Sequence, residues 1–116
     1  MRALLLVLSL LAMPLMAAER VVSLAPSLSE ILLDLDAGDL LVGVFEGDAV
    51  PQELSRLPRV GRHGQIEFER LLQLDPDLVL AVPGSVPPAQ LAQLRRLGIA
   101  VLLVGVGDRA GADDGP

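Results

Sequence analysis

Phe68-Glu69-Arg70-Leu71-Leu72-Gln73-Leu74-Asp75-Pro76-Asp77-Leu78-Val79-Leu80-Ala81-Val82 is the stretch from which the fold is read. A short helix over 67–74 turns Phe68, Leu71 and Leu72 inward, and Asp75-Pro76 stops it. Asp77 to Val82 follows as a near-continuous apolar strand. A strand apolar at successive positions is buried on both faces, which is the habit of a parallel sheet covered by helices.

The same alternation continues in both directions. Downstream, Pro87-Pro88 opens a helix whose face is Leu91, Leu94 and Leu97, with Arg95 and Arg96 in its last turn and Gly98 at its end. Ile99 to Val104 is a further strand. Upstream, Arg20 to Leu24 is a β-rich run closed by Ala25-Pro26. Ser27-Leu28-Ser29-Glu30 then has capping-box spacing, with Ser27 as N-cap and Glu30 reaching back. Leu28, Ile31, Leu32 and Leu35 line one helical face, and Gly38 supplies the left-handed residue after it. Leu40 to Val44 is a strand, and Phe45 to Gly64 is irregular, with one helical turn at Gln52 to Leu57. Strand and helix in turn predict an α/β chain: a Rossmann-like, three-layer αβα arrangement around a parallel sheet of about four strands.

The ends differ from this body. Met1-Arg2 is a basic start, Ala3 to Ala12 is apolar, and Met13-Pro14-Leu15-Met16-Ala17-Ala18 leads to a polar stretch. These are the marks of a cleaved secretory signal over residues 1–18, and the apolar run is short for a membrane anchor, which needs about 20 residues. Residues 19–104 form the folded body, and 105–116, rich in Gly and Asp, read as a flexible or aberrant tail.

Composition removes several functions. The 116 residues carry a net charge of −6, and all nine basic residues are arginines scattered along the chain, a poor basis for nucleic-acid binding. The absence of cysteine removes disulfides, thiolate metal sites, a Cys nucleophile and a lipid-modified Cys. One histidine, His63, is too few for a protein-only zinc site, and no G-x-S-x-G turn surrounds any serine. Gly105-Val106-Gly107-Asp108-Arg109-Ala110-Gly111 lacks the following helix that a dinucleotide loop requires. No catalytic residue, metal site or cofactor is therefore expected, and the chain reads as a binder rather than an enzyme.

Ligands of open α/β sheets sit beyond the carboxyl ends of the strands. Three loops lie there: Ala25-Pro26-Ser27 at a helix start, Phe45-Glu46-Gly47-Asp48, and Val60-Gly61-Arg62-His63-Gly64-Gln65. The candidate binding residues are Pro26, Ser27, Phe45, Arg62 and His63.

With these residues in order, a resemblance appears. R-V-V-S-L-A-P-S-L-S-E-I-L (20–32), L-V-G-V (41–44), L-P-R-V-G (57–61), F-E-R-L-L-Q-L-D-P-D-L-V-L-A (68–81) and L-R-R-L-G-I-A-V (94–101) together resemble the periplasmic substrate-binding proteins for cobalamin, ferric siderophores and haem that feed ABC importers. The resemblance implies a two-lobe protein with a helical backbone between the lobes, of which this chain matches an incomplete N-terminal lobe. It implies a periplasmic monomer binding a metal chelate, with an inner-membrane permease as partner. Within that frame Glu69 matches the glutamate that meets permease arginines, and the 61–65 loop lines the ligand, often with an aromatic at the position of His63. Two aromatics leave little stacking surface for a corrinoid or porphyrin, a departure from the family. The acidic Glu46 and Asp48 would repel negatively charged siderophores, so a cobalamin-type cargo is expected over a ferric siderophore. The alternative is a truncated, ligand-free remnant or a small exported interaction domain.

Overall fold

Three parallel strand pairings build the sheet. In the computed structural model, which describes residues 17–46, 50–62 and 64–105, the strands are β1 (Val21–Ser23), β2 (Leu41–Val44), β5 (Leu78–Ala81) and β6 (Val101–Leu103), in the order β2-β1-β5-β6. Val22 pairs with Val79 and Val79 with Val101, so the two central strands are flanked on both sides. A short antiparallel hairpin, β3 (Gly61–Arg62) and β4 (Gln65–Ile66), lies outside this sheet. The helices are α1 (Pro26–Asp34), α2 (Phe68–Gln73) and α3 (Pro88–Arg96).

Side chains alternate across the sheet and so create two cores. Val22, Val79 and Ala81 face Leu71 of α2 and Leu91 and Leu94 of α3. Val21, Leu78 and Leu80 face Leu28 and Leu32 of α1. The expected three-layer αβα arrangement is therefore present. Both central strands are buried throughout, which is why Leu78 to Ala81 is apolar at every position.

Several local expectations are corrected. Ser27 is not the N-cap: Ala25 is, no side chain caps the helix, and Pro26 occupies the first turn. Proline suits that place because its missing N–H would have had no helical partner. The residue after α1 in left-handed conformation is Asp36 (φ 61), not Gly38. It closes the helix as a Schellman turn, with the Ala37 N–H donating to Leu32 O at 2.7 Å and the Asp36 N–H to Leu33 O at 3.0 Å. Gly38 instead begins a 3-10 turn, Gly38–Leu40, which delays β2 to Leu41. Ile31, Leu35, Leu72 and Leu97 were expected on buried faces and are exposed. Each helix is short and rests on the sheet through two or fewer leucines, so the burying stripe is narrower than the apolar spacing suggests. The turn expected at Gln52 to Leu57 is a 3-10 turn, Gln52–Leu54. At the far end, Gly98 does take the left-handed conformation (φ 88) that ends α3. The signal stretch through Met16, and the tail from Val106 onward, lie outside the described residues.

The chain's first described residues are tied to the base of the sheet. The Glu19 and Arg20 N–H groups donate to the Asp77 carboxylate at 3.0 and 3.1 Å. The Arg20 guanidinium donates in turn to Leu74 O at 2.7 Å and Asp75 O at 3.3 Å, satisfying carbonyls left open at the end of α2. Asp75 itself is left-handed (φ 53), which turns the chain sharply into β5.

Candidate functional site

Because the sheet is parallel, the carboxyl ends of all its strands lie along one edge. The first loop on that edge runs from β1 into α1. Ala25 O accepts the Leu28 and Ser29 N–H groups at 3.0 and 3.2 Å and the Ser23 hydroxyl at 2.8 Å. The Ser29 hydroxyl donates to Ser23 Oγ at 2.9 Å, and both serines are buried. This pair of hydroxyls, which the sequence offers only as two more serines, stitches α1 to β1. Their oxygens are consumed in structure. Ser27 stands exposed and Pro26 half-buried above them.

The second loop leaves β2. The Phe45 N–H donates to Ser23 O at 3.2 Å, and the Phe45 ring is 7% exposed, within the core that holds Val60 and Ile66. A Cβ on Gly61 would lie 2.7 Å from Phe45 Cε1 and closer still to Gln65 O, so only glycine fits between the ring and the hairpin. Phe45 thus supports the hairpin from below and presents little ring to a ligand. Gly47, Asp48 and Ala49 lie outside the described residues.

The third element is the hairpin. Before it, residues 58–60 run parallel to β2, with the Val44 N–H donating to Pro58 O at 3.0 Å and the Val60 N–H to Val44 O at 2.9 Å. The Glu46 N–H then donates to Gly61 O at 2.7 Å, locking the hairpin to the second loop. Sequence spacing did not reveal this hairpin, because its strands are two residues each and have no periodicity to read. It carries Arg62, which is exposed, and brackets His63, which lies outside the described residues.

Charge around the hairpin is mostly committed. Arg59 Nε meets Glu46 Oε1 at 3.2 Å while its Nη1 donates to Leu57 O at 2.8 Å. Arg70 Nε lies 3.7 Å from Glu67 Oε1, and its Nη1 donates to Arg59 O at 3.4 Å. Arg62 has no ion pair among the described residues. It lines two adjoining hollows, one of about 320 Å³ shared with Glu46, Arg59 and Arg70, the other of about 350 Å³ shared with Gln65, Ile66 and Glu67. An uncommitted guanidinium at this edge can donate to a carboxylate, amide or phosphate oxygen.

Pro26 and Ser27 thus stand on one loop of this edge and Arg62 on the hairpin, with Phe45 packed beneath the hairpin. The two hollows that Arg62 lines include neither Pro26 nor Ser27. Glu69 belongs elsewhere: it is exposed on α2, lining a hollow of about 430 Å³ with Glu67, Arg70 and Gln73. It makes no hydrogen bond or ion pair among the described residues. Among those residues, no group of three His, Cys, Asp or Glu is placed to hold a metal ion, and no helix is long and apolar enough to cross a membrane. One residue that sequence reasoning passed over reaches this edge from α3: Gln90 Oε1 accepts the Ile66 N–H at 2.9 Å. No signal in the sequence marks it, since it is one of two glutamines on α3.

Comparison with known proteins gives a consistent result. Residues 21–113 match the family model described as periplasmic binding protein. The chain is 45% identical over 93 residues to the vitamin B12-binding protein of Vibrio cholerae serotype O1, an overlap covering 80% of this chain and 33% of that protein. Among solved structures, the periplasmic vitamin B12 binding protein of Vibrio cholerae superposes with a TM-score of 0.68 at 43% identity, covering 74% of this chain and 34% of that one. A periplasmic haem-binding protein from Pseudomonas aeruginosa superposes with a TM-score of 0.70 at 36% identity, covering 76% and 32%. The chain spans about a third of the length of the curated relatives it matches.

Proposed function

The chain belongs to the periplasmic binding protein family, and from that premise we propose that it supplies the N-terminal part of the extracytoplasmic solute-binding component of an ABC importer, with a cobalamin-type chelate as cargo. The observation that carries the cargo is the 45% identity to a vitamin B12-binding protein, over a segment that includes the loops of the carboxyl edge. The fold alone is neutral between cargoes, because B12-binding and haem-binding structures superpose equally well.

The geometry supports binding without catalysis. The Ser23 and Ser29 hydroxyls are buried and bonded, so neither is a nucleophile facing solvent. Ser27 and Arg62 offer hydrogen bonds to amide or phosphate groups of a corrinoid, and Pro26 offers an apolar surface. His63, which follows Arg62 in the sequence, completes the candidate set. No resident cofactor enters this reading; the chelate is the cargo. Export by a cleaved signal over residues 1–18 places the protein in the periplasm, where an inner-membrane permease meets Glu69.

Calorimetric titration of the whole gene product with cyanocobalamin, and separately with haemin, tests this. Binding of cyanocobalamin at least about tenfold tighter than haemin is the expected result. The reverse preference moves the assignment to haem, a second reading with which the superposition on the Pseudomonas aeruginosa structure is equally consistent. Heat from neither titrant removes both.

A further inference from the structure

We propose that Gln90 is a positioning residue for the ligand edge: its side chain holds the β3–β4 hairpin, and with it Arg62, against the loop between β5 and α3. The inference rests on the reading of the carboxyl edge as the cargo site. Strand β4 has only two residues and pairs with β3 on one side. The Ile66 N–H is directed away from that pairing and donates to Gln90 Oε1 at 2.9 Å. Ile66 is 8% exposed and Gln90 half-buried, so water is a poor substitute for this acceptor.

The hairpin also passes close to the loop between β5 and α3. Gly64 is left-handed (φ 72), and a Cβ there would lie 3.5 Å from Ser85 O. Ser85 is itself fixed in a turn, its N–H donating to Val82 O at 3.0 Å and its Oγ accepting the Val82 N–H at 3.3 Å. On its other side the hairpin is held by the bond from the Glu46 N–H to Gly61 O. The hairpin is thus suspended between two loops, and Gln90 is the side chain that ties it to the α3 side. Losing that tie leaves the Ile66 N–H without its acceptor and loosens the hairpin on its α3 side, so that Arg62 is less precisely held. The buried Ile66 side chain and the bond from the Glu67 N–H to Val60 O keep the hairpin attached to the body.

The test compares Gln90→Leu, which removes the acceptor, with Gln90→Glu, which keeps one at the same reach. In the whole gene product, Gln90→Leu is expected to weaken cyanocobalamin binding about tenfold and to speed amide exchange at Ile66 by a similar factor. Gln90→Glu should restore both. A purely structural role predicts faster exchange at Ile66 with unchanged cyanocobalamin affinity, and no coupling to Arg62. Gln90→Leu added to Arg62→Ala should therefore cost little beyond Arg62→Ala alone, because the hairpin then has no guanidinium to position. Unchanged affinity in Gln90→Leu, or fully additive effects in the double variant, overturns the proposal. Should the unaltered protein ignore cyanocobalamin, the cargo reading falls and exchange at Ile66 decides alone: faster in Gln90→Leu supports the tie, unchanged refutes it.

Discussion

Asp36 sits where a left-handed residue is required, at φ 61, one position beyond the C-cap residue Leu35 of α1. A non-glycine side chain there costs about 1 kcal/mol, and a carboxylate opposes the negative end of the helix dipole. It also lines the same hollow as Asp39 and Glu53. Asp36→Gly should therefore stabilise the protein by about 0.5–1 kcal/mol despite the added freedom of the unfolded chain, raising the melting temperature by a few degrees in a thermal scan. A lower melting temperature would mean that the Asp36 carboxylate makes a compensating contact. Sequence reasoning assigned this duty to Gly38 because glycine is the usual left-handed residue. The register was wrong because α1 starts two residues earlier than Ser27 suggests, with Pro26 in its first turn. The loops that carry the candidates Pro26, Ser27 and Arg62 were readable, since strand ends locate loops. Gln90 was not, because a side-chain bond spanning 24 residues leaves no local pattern.

Element α2 spans only six residues, too few to hold its shape without tertiary contacts. The sequence expectation put Phe68, Leu71 and Leu72 in the core. The structure divides them: Leu71 is 0% exposed, Phe68 is half-buried, and Leu72 is 43% exposed. Leu71→Ala should cost about 2–5 kcal/mol, whereas Leu72→Ala should stay within about 0.5 kcal/mol. The midpoint of urea unfolding separates these outcomes, and equal losses would restore the wider face read from sequence. Anchorage at the other end comes from Arg20, whose guanidinium donates to Leu74 O and Asp75 O. Arg20→Ala should cost about 1 kcal/mol, because these bonds lie at an exposed surface where water replaces part of them. Strands were the most readable elements, since β1 and β5 are buried on both faces and their apolar runs have no other explanation. Helical faces were less so: apolar spacing gives the angle of a stripe but not how much of it the sheet reaches.

For the whole molecule, the acidic balance and the separation of two surfaces matter most. The carboxyl edge, with Arg62, is where cargo is proposed, while Glu69 stands exposed on α2 with no partner among the described residues. A net charge of −6 favours a basic partner, and an exposed carboxylate contributes mainly to association rate and register rather than to raw affinity. If Glu69 meets arginines of the permease, Glu69→Arg places like charges opposite each other. Complex formation with the permease should then weaken by about tenfold or more at low salt, and the deficit should shrink as ionic strength rises toward full screening. Cyanocobalamin affinity should change far less, because Glu69 itself lines neither hollow that Arg62 lines, even though Glu67 and Arg70 border both surfaces. Co-purification with the permease in nanodiscs, beside calorimetry of the free protein, reads both quantities. An unchanged complex removes Glu69 from the docking surface. A parallel loss of cargo affinity would instead mean that α2 and the β3–β4 hairpin move as one unit, an arrangement for which the N–H of Glu67, donating to Val60 O at 2.8 Å between them, is the obvious link.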